Sequence, residues 1–288
     1  LSWKNITVIN TLHSCWDFTG HCCYFTYSNC DKWKTGCYKC IEKKSYPASY
    51  LFDNSKQNYF LKKKLFTSLK KEIVVTPSEW LASLVKESFL CCYPLEVIRN
   101  GIDTGIFSFT KKDLSKYGIK EGCKLILAVA SFWQPRKGLA DVIELAEKAG
   151  KEYQIIVVGI SKKLKKKLSA NNIIGIEKTE DKSELAALYS AAAVLFNPTY
   201  EDNYPTVNLE AIACGTYVVT YNTGGSPEIV KQYHAGEVIR KRDYAALLKI
   251  VDKRHQMKVN LNNEKRYDLS KERMVAEYLR LYRDTEKW

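Results

Sequence analysis

The chain has 288 residues, 45% of them hydrophobic, 27% charged and 12% aromatic, which excludes a disordered tail, a collagen-like fibre and a small disulfide knot. Lysine and arginine outnumber aspartate and glutamate 45 to 32, giving a net charge of +13, and residues 1–120 alone hold 18 basic against 10 acidic groups. So basic a balance suits phosphates or an anionic membrane surface, and with no Arg-rich tract it carries no nucleic-acid signature.

The length predicts about two domains. ITVINTL (residues 6–12) reads as a strand leading into an irregular stretch rich in cysteine and aromatics, residues 13–47. A basic helix follows over residues 58–71, then the strand EIVVT, then a helix over SEWLASLVKESFL with Pro77 and Ser78 at its start. LEVIRNG reads as another strand, ended by the Asn100-Gly101 turn. From residue 124 the pattern becomes regular. The strands KLILAVAS, YQIIVVG, NIIGIE, VLFNP, YVVTY and GEVIR alternate with the helices LADVIELAEKAG, SKKLKKKL, SELAALYSAA, PTVNLEAIACG and SPEIVKQY. Nearly continuous apolar strands between amphipathic helices predict a doubly wound parallel sheet, an α/β domain covered on both faces. A last amphipathic helix is expected over residues 271–288. The lysine runs at 62–64 and 162–167 read as solvated helix faces.

In such a sheet ligands bind at the carboxyl ends of the strands, where helix N-termini present their amides to anions. Three loops there stand out. NPTYEDNYPTVNLEA places Asp202 on a loop and Glu210 in the following helix, with seven residues between them. An anion there would meet the amides around residues 204–207 and the Thr206 hydroxyl, and the carboxylates suit hydroxyl hydrogens such as a sugar offers. The other reading is that Asp202 caps the helix and Glu210 is a partly buried polar residue. In ASFWQPRKGLAD, Arg136 and Lys137 can neutralise a departing diphosphate or be ordinary surface cations. In YNTGGSPEIV, Gly224 and Gly225 let backbone approach a ligand closely.

These loops, with the NGID turn, VAS-x-W-x-PRKG, the VVG strand end and NPTYEDNYPTVNLEA-x-ACGT in that order, resemble the retaining family-4 glycosyltransferases of the GT-B fold over essentially the whole chain. TLHSCWDFTGHC and CDKWKTGCYKC are similar to a subgroup of bacterial exopolysaccharide, colanic-acid and capsule enzymes. The resemblance implies two Rossmann-like domains facing a cleft: residues 1–105 as a partial N-terminal domain, 106–268 as the nucleotide-sugar-binding domain, and 269–288 as a helix packing back on the first. It implies that the first strands of the N-terminal domain lie outside this chain. It also implies that Glu210 accepts the ribose hydroxyls, that Asp202 contacts the donor sugar, and that the backbone of Asn203, Tyr204, Pro205 and Thr206 lines sugar and diphosphate, with Val207, Gly224 and Gly225 also binding the donor. Lys137 matches the diphosphate-binding lysine, His13 the histidine near the reaction centre, and Lys178 falls in the segment 176–179 beside the base. Two departures stand out. Asp202 replaces the usual glutamate, with Glu201 one residue out of register. The usual upstream basic group is missing near Ser131, so Arg136 takes its place.

The expected activity is sugar transfer from a UDP- or GDP-sugar to a polysaccharide or lipid-linked oligosaccharide acceptor, with retention and without a catalytic metal. The alternatives are a nucleotide-sugar-binding fragment without transferase activity and a GT-B epimerase or phosphorylase. No apolar run reaches the ~18–20 residues of a membrane span, and residues 1–16 do not read as a signal peptide. A cytoplasmic protein is therefore expected, with Lys62, Lys63, Lys64, Lys70 and Lys71 against an anionic inner leaflet. His21, Cys22, Cys30, Cys37 and Cys40 offer a structural zinc set, the C-x2-C at 37–40 being half a zinc knuckle; a disulfide and plain reduced thiols in an aromatic core are the other readings.

Overall fold

The computed structural model describes residues 6–120, 122–169 and 173–285. The expected helix residues 286–288 and the first residue of the strand expected at 172–177 lie outside that set. The chain forms two compact units, one of residues up to Arg99 together with those from Ala276 onward, the other Asn100–Val275.

In the first unit β1 (Val8–Thr11), α1 (Ser55–Phe66), β2 (Glu72–Thr76), α2 (Glu79–Glu87) and β3 (Leu95–Val97) build a parallel sheet in the order β1-β2-β3. Ser78 starts α2 as expected, its Oγ accepting the Leu81 amide at 3.0 Å. The segment before α1 is irregular but packed. Phe25 stacks on Trp33 with centroids 4.8 Å apart, and Phe18, Cys15, Cys22 and Cys37 are buried with them. The Tyr278 hydroxyl of the C-terminal helix lies 3.0 Å from Thr11 Oγ1 of β1.

One lysine departs from the solvated face expected at 62–64. Lys62 is buried, its ammonium donating to the carbonyls of Trp16 at 2.6 Å and Thr19 at 3.1 Å and lying 3.2 Å from the Trp16 ring. Burial lowers its pKa to about 8, against the pull of Asp17. The reason is register: with Ser55 and Tyr59 it falls on the inward stripe of α1.

The second unit contains β4 (Lys124–Val129), α3 (Leu139–Lys148), β5 (Tyr153–Val158), α4 (Lys162–Ser169), β6 (Ile173–Ile176), α5 (Lys182–Ala191), β7 (Val194–Asn197), α6 (Thr206–Ala213), β8 (Tyr217–Tyr221), α7 (Ser226–Tyr233) and β9 (Gly236–Ile239). Two more helices follow, α8 (Tyr244–Arg254) and α9 (Asn263–Asp268), neither among the expected elements, and then the C-terminal α10 (Lys271–Thr285), whose residues from Ala276 belong to the first unit. The six strands are parallel in the order β6-β5-β4-β7-β8-β9. The chain steps outward from β4 to β6, then crosses back to lay β7 on the other side of β4, pairing Ile126 with Val194 and Leu127 with Leu195.

Both faces of this sheet are buried, as nearly continuous apolar strands require. Leu125 and Leu127 join a core with Leu188, Leu209 and Ile229 of α5, α6 and α7. Ile126 and Ala128 join the opposite core with Val142, Leu145 and Leu247 of α3 and α8. Lys162, Lys163, Lys165 and Lys166 of α4 are exposed, and the Lys167 side chain lies outside the described set.

Two-sided burial makes a prediction that a one-sided sheet would not. Ile126→Ala and Leu127→Ala, adjacent residues on opposite faces, should each lower stability by roughly 2–5 kcal/mol, read from urea unfolding midpoints. In a sheet with one wet face, one of the two would be nearly neutral.

Candidate active site

Three loops at the carboxyl edge of the six-stranded sheet, after β4, β7 and β8, meet one another. Pro135–Lys137 form a 3-10 turn that hands over to α3 at Gly138. The Arg136 carbonyl accepts the Tyr200 amide at 2.7 Å, and its guanidinium donates to the Glu201 carbonyl at 2.7 Å and to Gln134 Oε1 at 3.1 Å. Arg136 thus ties the β4 loop to the acidic loop. Gly138 has φ +77°, and a Cβ there would lie 2.2 Å from the Pro198 carbonyl oxygen, so both conformation and close approach demand glycine. On the other side, Gly225 donates its amide to the Asp202 carbonyl at 3.0 Å, and Thr223 Oγ1 donates to the Thr199 carbonyl at 2.5 Å. Gly224, at φ +56°, sits directly against Asp202, where a Cβ would come 2.0 Å from its carbonyl oxygen.

The charged pair at this junction is Lys137 and Asp202. The Lys137 ammonium is in contact with Asp202 Oδ2, and Asp202 Oδ1 accepts the Asn203 amide at 3.0 Å. Asp202 is buried and does not cap the following helix: Pro205 holds the cap position of α6, with no side-chain hydrogen bond. The N-termini of α3 and α7 likewise have no side-chain cap, whereas Asp181 caps α5 and Asp243 caps α8. Helix ends without caps keep their amides and partial positive charge available to an anion. Buried Asn208 Nδ2 and Ser226 Oγ, at the starts of α6 and α7, have no hydrogen-bond partner among the described residues. Such buried orphans are rare.

Glu210 lies behind the first turn of α6. Burial raises its pKa, opposed by hydrogen bonds from the Tyr189 phenol, at 2.9 Å, and the Thr206 hydroxyl, with Lys182 a further opposing charge. The Thr206 hydroxyl, expected to face a ligand, is therefore turned onto Glu210. Tyr189 is fully buried, and burial with the Glu210 charge holds its phenol well above its usual range. Tyr204 is buried, its hydroxyl donating to Gln232 at 3.2 Å and its carbonyl accepting Asn100 Nδ2 at 3.2 Å; Val207 is half-buried against the core. Lys178 is exposed on the loop after β6, and no hydrogen bond or ion pair among the described residues joins it to the cluster. His13 is exposed just after β1, in the first unit.

Two residues that hold this arrangement have no motif to announce them. Asp141 of α3 is buried and accepts hydroxyls from Tyr200 and Tyr221, each at 2.8 Å, with Arg242 at 3.3 Å. It thereby anchors the residue two before Asp202. Tyr189 braces Glu210.

Among the described residues no group of three or more His, Cys, Asp or Glu is arranged to hold a metal ion. His21 Nε2 pairs with the Lys43 carbonyl at 3.1 Å, and Cys37 Sγ accepts the Gly20 amide at 3.1 Å. The Cys22 thiol donates to Cys40, which holds Cys40 below the usual thiol range and, with burial, raises Cys22 above it. Cys30 is packed beside the aromatic core. All ten cysteines are free thiols, so none is joined in a disulfide.

A parallel sheet that gathers a lysine, two carboxylates and three uncapped helix ends at its carboxyl edge has the architecture of a doubly wound α/β domain, whose ligands sit at that edge. The chain belongs to the family Glycosyl transferases group 1, which matches residues 109–272. It is 24% identical over 294 residues to a protein of Escherichia coli (strain K12) named as the colanic acid biosynthesis glycosyl transferase WcaC, covering 97% of this chain and 69% of that one. Sucrose-phosphate synthase from Thermosynechococcus elongatus superposes with a TM-score of 0.66 at 18% identity, over 87% of this chain and 67% of its own. Anabaena HepE, solved in complex with UDP, does so with a TM-score of 0.58 at 15% identity, over 81% and 68%. The fold is GT-B, and the chain spans about two thirds of the length of these proteins.

Two variants test the site's energetics. Because burial raises the Glu210 pKa, its ionisation destabilises the unliganded fold as pH rises through that raised value, an effect absent below the unfolded value of 4.5. Glu210→Gln should therefore melt higher than wild type at pH 7.5, with the gap closing toward pH 4. Asp141→Ala strands two buried hydroxyls and should lower stability by on the order of 3 kcal/mol, measured by denaturant titration.

Proposed function

We propose that the chain is the nucleotide-sugar-binding part of a retaining family-4 glycosyltransferase that works in surface-polysaccharide assembly. The observation that carries this reading is the meeting of Lys137, Asp202 and three uncapped helix N-termini at the sheet's crossing point. The family match supports sugar transfer, the name of WcaC supports a polysaccharide product, and the UDP bound to HepE supports a nucleoside diphosphate donor.

In this mechanism the diphosphate lies over the first turns of α6 and α7, and Glu210 accepts the ribose hydroxyls. An acceptor hydroxyl, on a polysaccharide or lipid-linked oligosaccharide, forms a bond to the anomeric carbon on the face from which the diphosphate leaves, and its proton passes to the departing phosphate oxygen. The C–O bond to the diphosphate breaks, and its electron pair and charge go to the leaving group. Lys137 and the helix-end amides neutralise that charge, in the role a divalent cation plays elsewhere, so turnover is proposed to survive chelator. Preorganised charge of this kind is usually the largest catalytic contribution. In the unliganded site Asp202 holds Lys137. An arriving diphosphate would compete for that ammonium, leaving the Asp202 carboxylate to accept a sugar hydroxyl. Arg136, committed to the Glu201 carbonyl, acts by shaping the loop.

Calorimetric titration with UDP- and GDP-sugars tests the reading. One class should bind saturably, and Glu210→Ala should weaken it at least tenfold. Lys137→Ala should lower turnover, in a chain that includes the acceptor-binding part, more than tenfold while leaving nucleoside binding within a few-fold. A folded protein that binds neither class overturns the proposal.

A further inference from the structure

Residues 153–176 hold five lysines and no acidic residue, and all five lysines fall in the eight residues of α4. Leu168 is buried in the core and Leu164 packs against it, which fixes the inward side of the helix. Lys162, Lys163, Lys165 and Lys166 are exposed around the rest of it. The helix lies on the edge strand β6, where Gly175 leaves room for it: a Cβ there would come 3.3 Å from Lys165 Cγ. This arrangement works against the helix that carries it. Lys162 and Lys163 stand in the first turn, where the helix end is itself positive and no acid is present, and Lys162 and Lys166 are like charges one turn apart. Among the described residues no ion pair holds Lys162, Lys163, Lys165 or Lys178. Strands β5 and β6 are parallel neighbours, so the start of α4 and the loop carrying Lys178 emerge at the same carboxyl edge of the sheet. Of the acids on that loop, Glu180 pairs with Lys116 at 2.6 Å and Asp181 with Lys112 at 3.5 Å, and Glu177 is half-buried.

We propose that the outer side of α4, extended by Lys178, binds a carboxylate-bearing polysaccharide, the acceptor or product strand of the reaction. Charge complementarity is the argument: a helix that gathers like charges at its own positive end is relieved by a polyanion laid along it. The chemistry of the surface narrows the choice of polyanion. Among the described residues no large apolar side chain between positions 133 and 256 is exposed, so the face lacks the inserted groups that hold a protein on a bilayer and the aromatic platforms on which unpaired bases stack. No arginine occurs from residue 137 to residue 239, so the planar fork that suits phosphate is absent as well. Lysines on flexible stems are point charges, which suit carboxylates spaced along a glycan. The nature of the partner rests on the proposed role in polysaccharide assembly; the existence of the anionic surface does not.

The test is titration of the whole chain into a fluorescently labelled polygalacturonate oligomer, with no nucleotide present. Binding should be saturable, at least tenfold weaker to a labelled neutral dextran of similar length, and weaker as salt rises. Lys162→Gln with Lys163→Gln and Lys165→Gln should weaken it at least tenfold. Lys231→Gln with Lys249→Gln and Lys253→Gln removes the same charge from exposed positions on α7 and α8 and should leave binding within a few-fold. Removing cations from the start of α4 eases the conflict with its dipole, so a melting curve at or above that of the wild type should show that the first variant folds. Three results would overturn the proposal. They are no binding of polygalacturonate by the wild type, the same effect of both triple variants, or tighter binding of polyuridylate or of phosphatidylglycerol vesicles that the α4 variant loses. A chain that binds the glycan but no nucleotide sugar sinks only the donor reading, and the reverse result sinks only this one.

Discussion

The pairing of β7 with β4 is the constraint on which the site depends. Strands β4, β5 and β6 step outward in one direction and β7 returns to the other side of β4. The connections leaving β4 and β7 must therefore diverge at their carboxyl ends, and the crevice between them is where helix N-termini face a ligand. The Arg136–Tyr200 backbone bond, the approach of Gly138 to Pro198 and the contact of Lys137 with Asp202 all lie at that divergence. The β8 loop closes the third side through Gly224 and Gly225. The register of two residue pairs, Ile126 with Val194 and Leu127 with Leu195, thus decides where the chemistry sits.

The polar interior of the second unit follows from what those loops need. Three carboxylates there have clear partners: Asp141 two tyrosines and an arginine, Asp202 a lysine and an amide, Glu210 a tyrosine and a threonine. An unpaired buried charge would cost several kcal/mol, so each such partner is a structural requirement before it is a functional one. Glu210 is the least well compensated, since burial still raises its pKa. A ligand that donates hydroxyl hydrogens to it would relieve that strain, so binding of such a ligand and stability would be linked at one residue.

Much of this was legible in the residues. The strands EIVVT and YVVTY and the helix SPEIVKQY run over the residues expected of them, because their apolar periodicity and flanking turn chemistry agree. The helices α8 and α9 were not, although Asp243 caps the first of them; their buried residues follow no strand pattern that would have marked a further βα unit. The inward turn of Lys62 was hidden for a different reason. A run of three lysines reads as solvent-facing, and only the phase of α1, set by Ser55 and Tyr59, carries one of them into the core. The cysteine segment had ligand-like spacing, yet spacing cannot say whether thiols turn toward one another or into an aromatic cluster.

By itself the sequence determined the alternation of strands and helices, the parallel sheet with two buried faces, and the identity of the loops that carry carboxylates, lysine and glycines. Those are local properties: periodicity, turn residues and residue types within a few positions of one another. Tertiary structure alone decided that Asp202 pairs with Lys137, 65 residues away, rather than capping α6. It also decided that Asp141 and Tyr189 hold the site in shape, and that the apolar side of the loop before α1 faces outward. Each of these depends on which distant segment arrives beside a residue, and that is settled by sheet order and packing phase, which no short window of sequence contains.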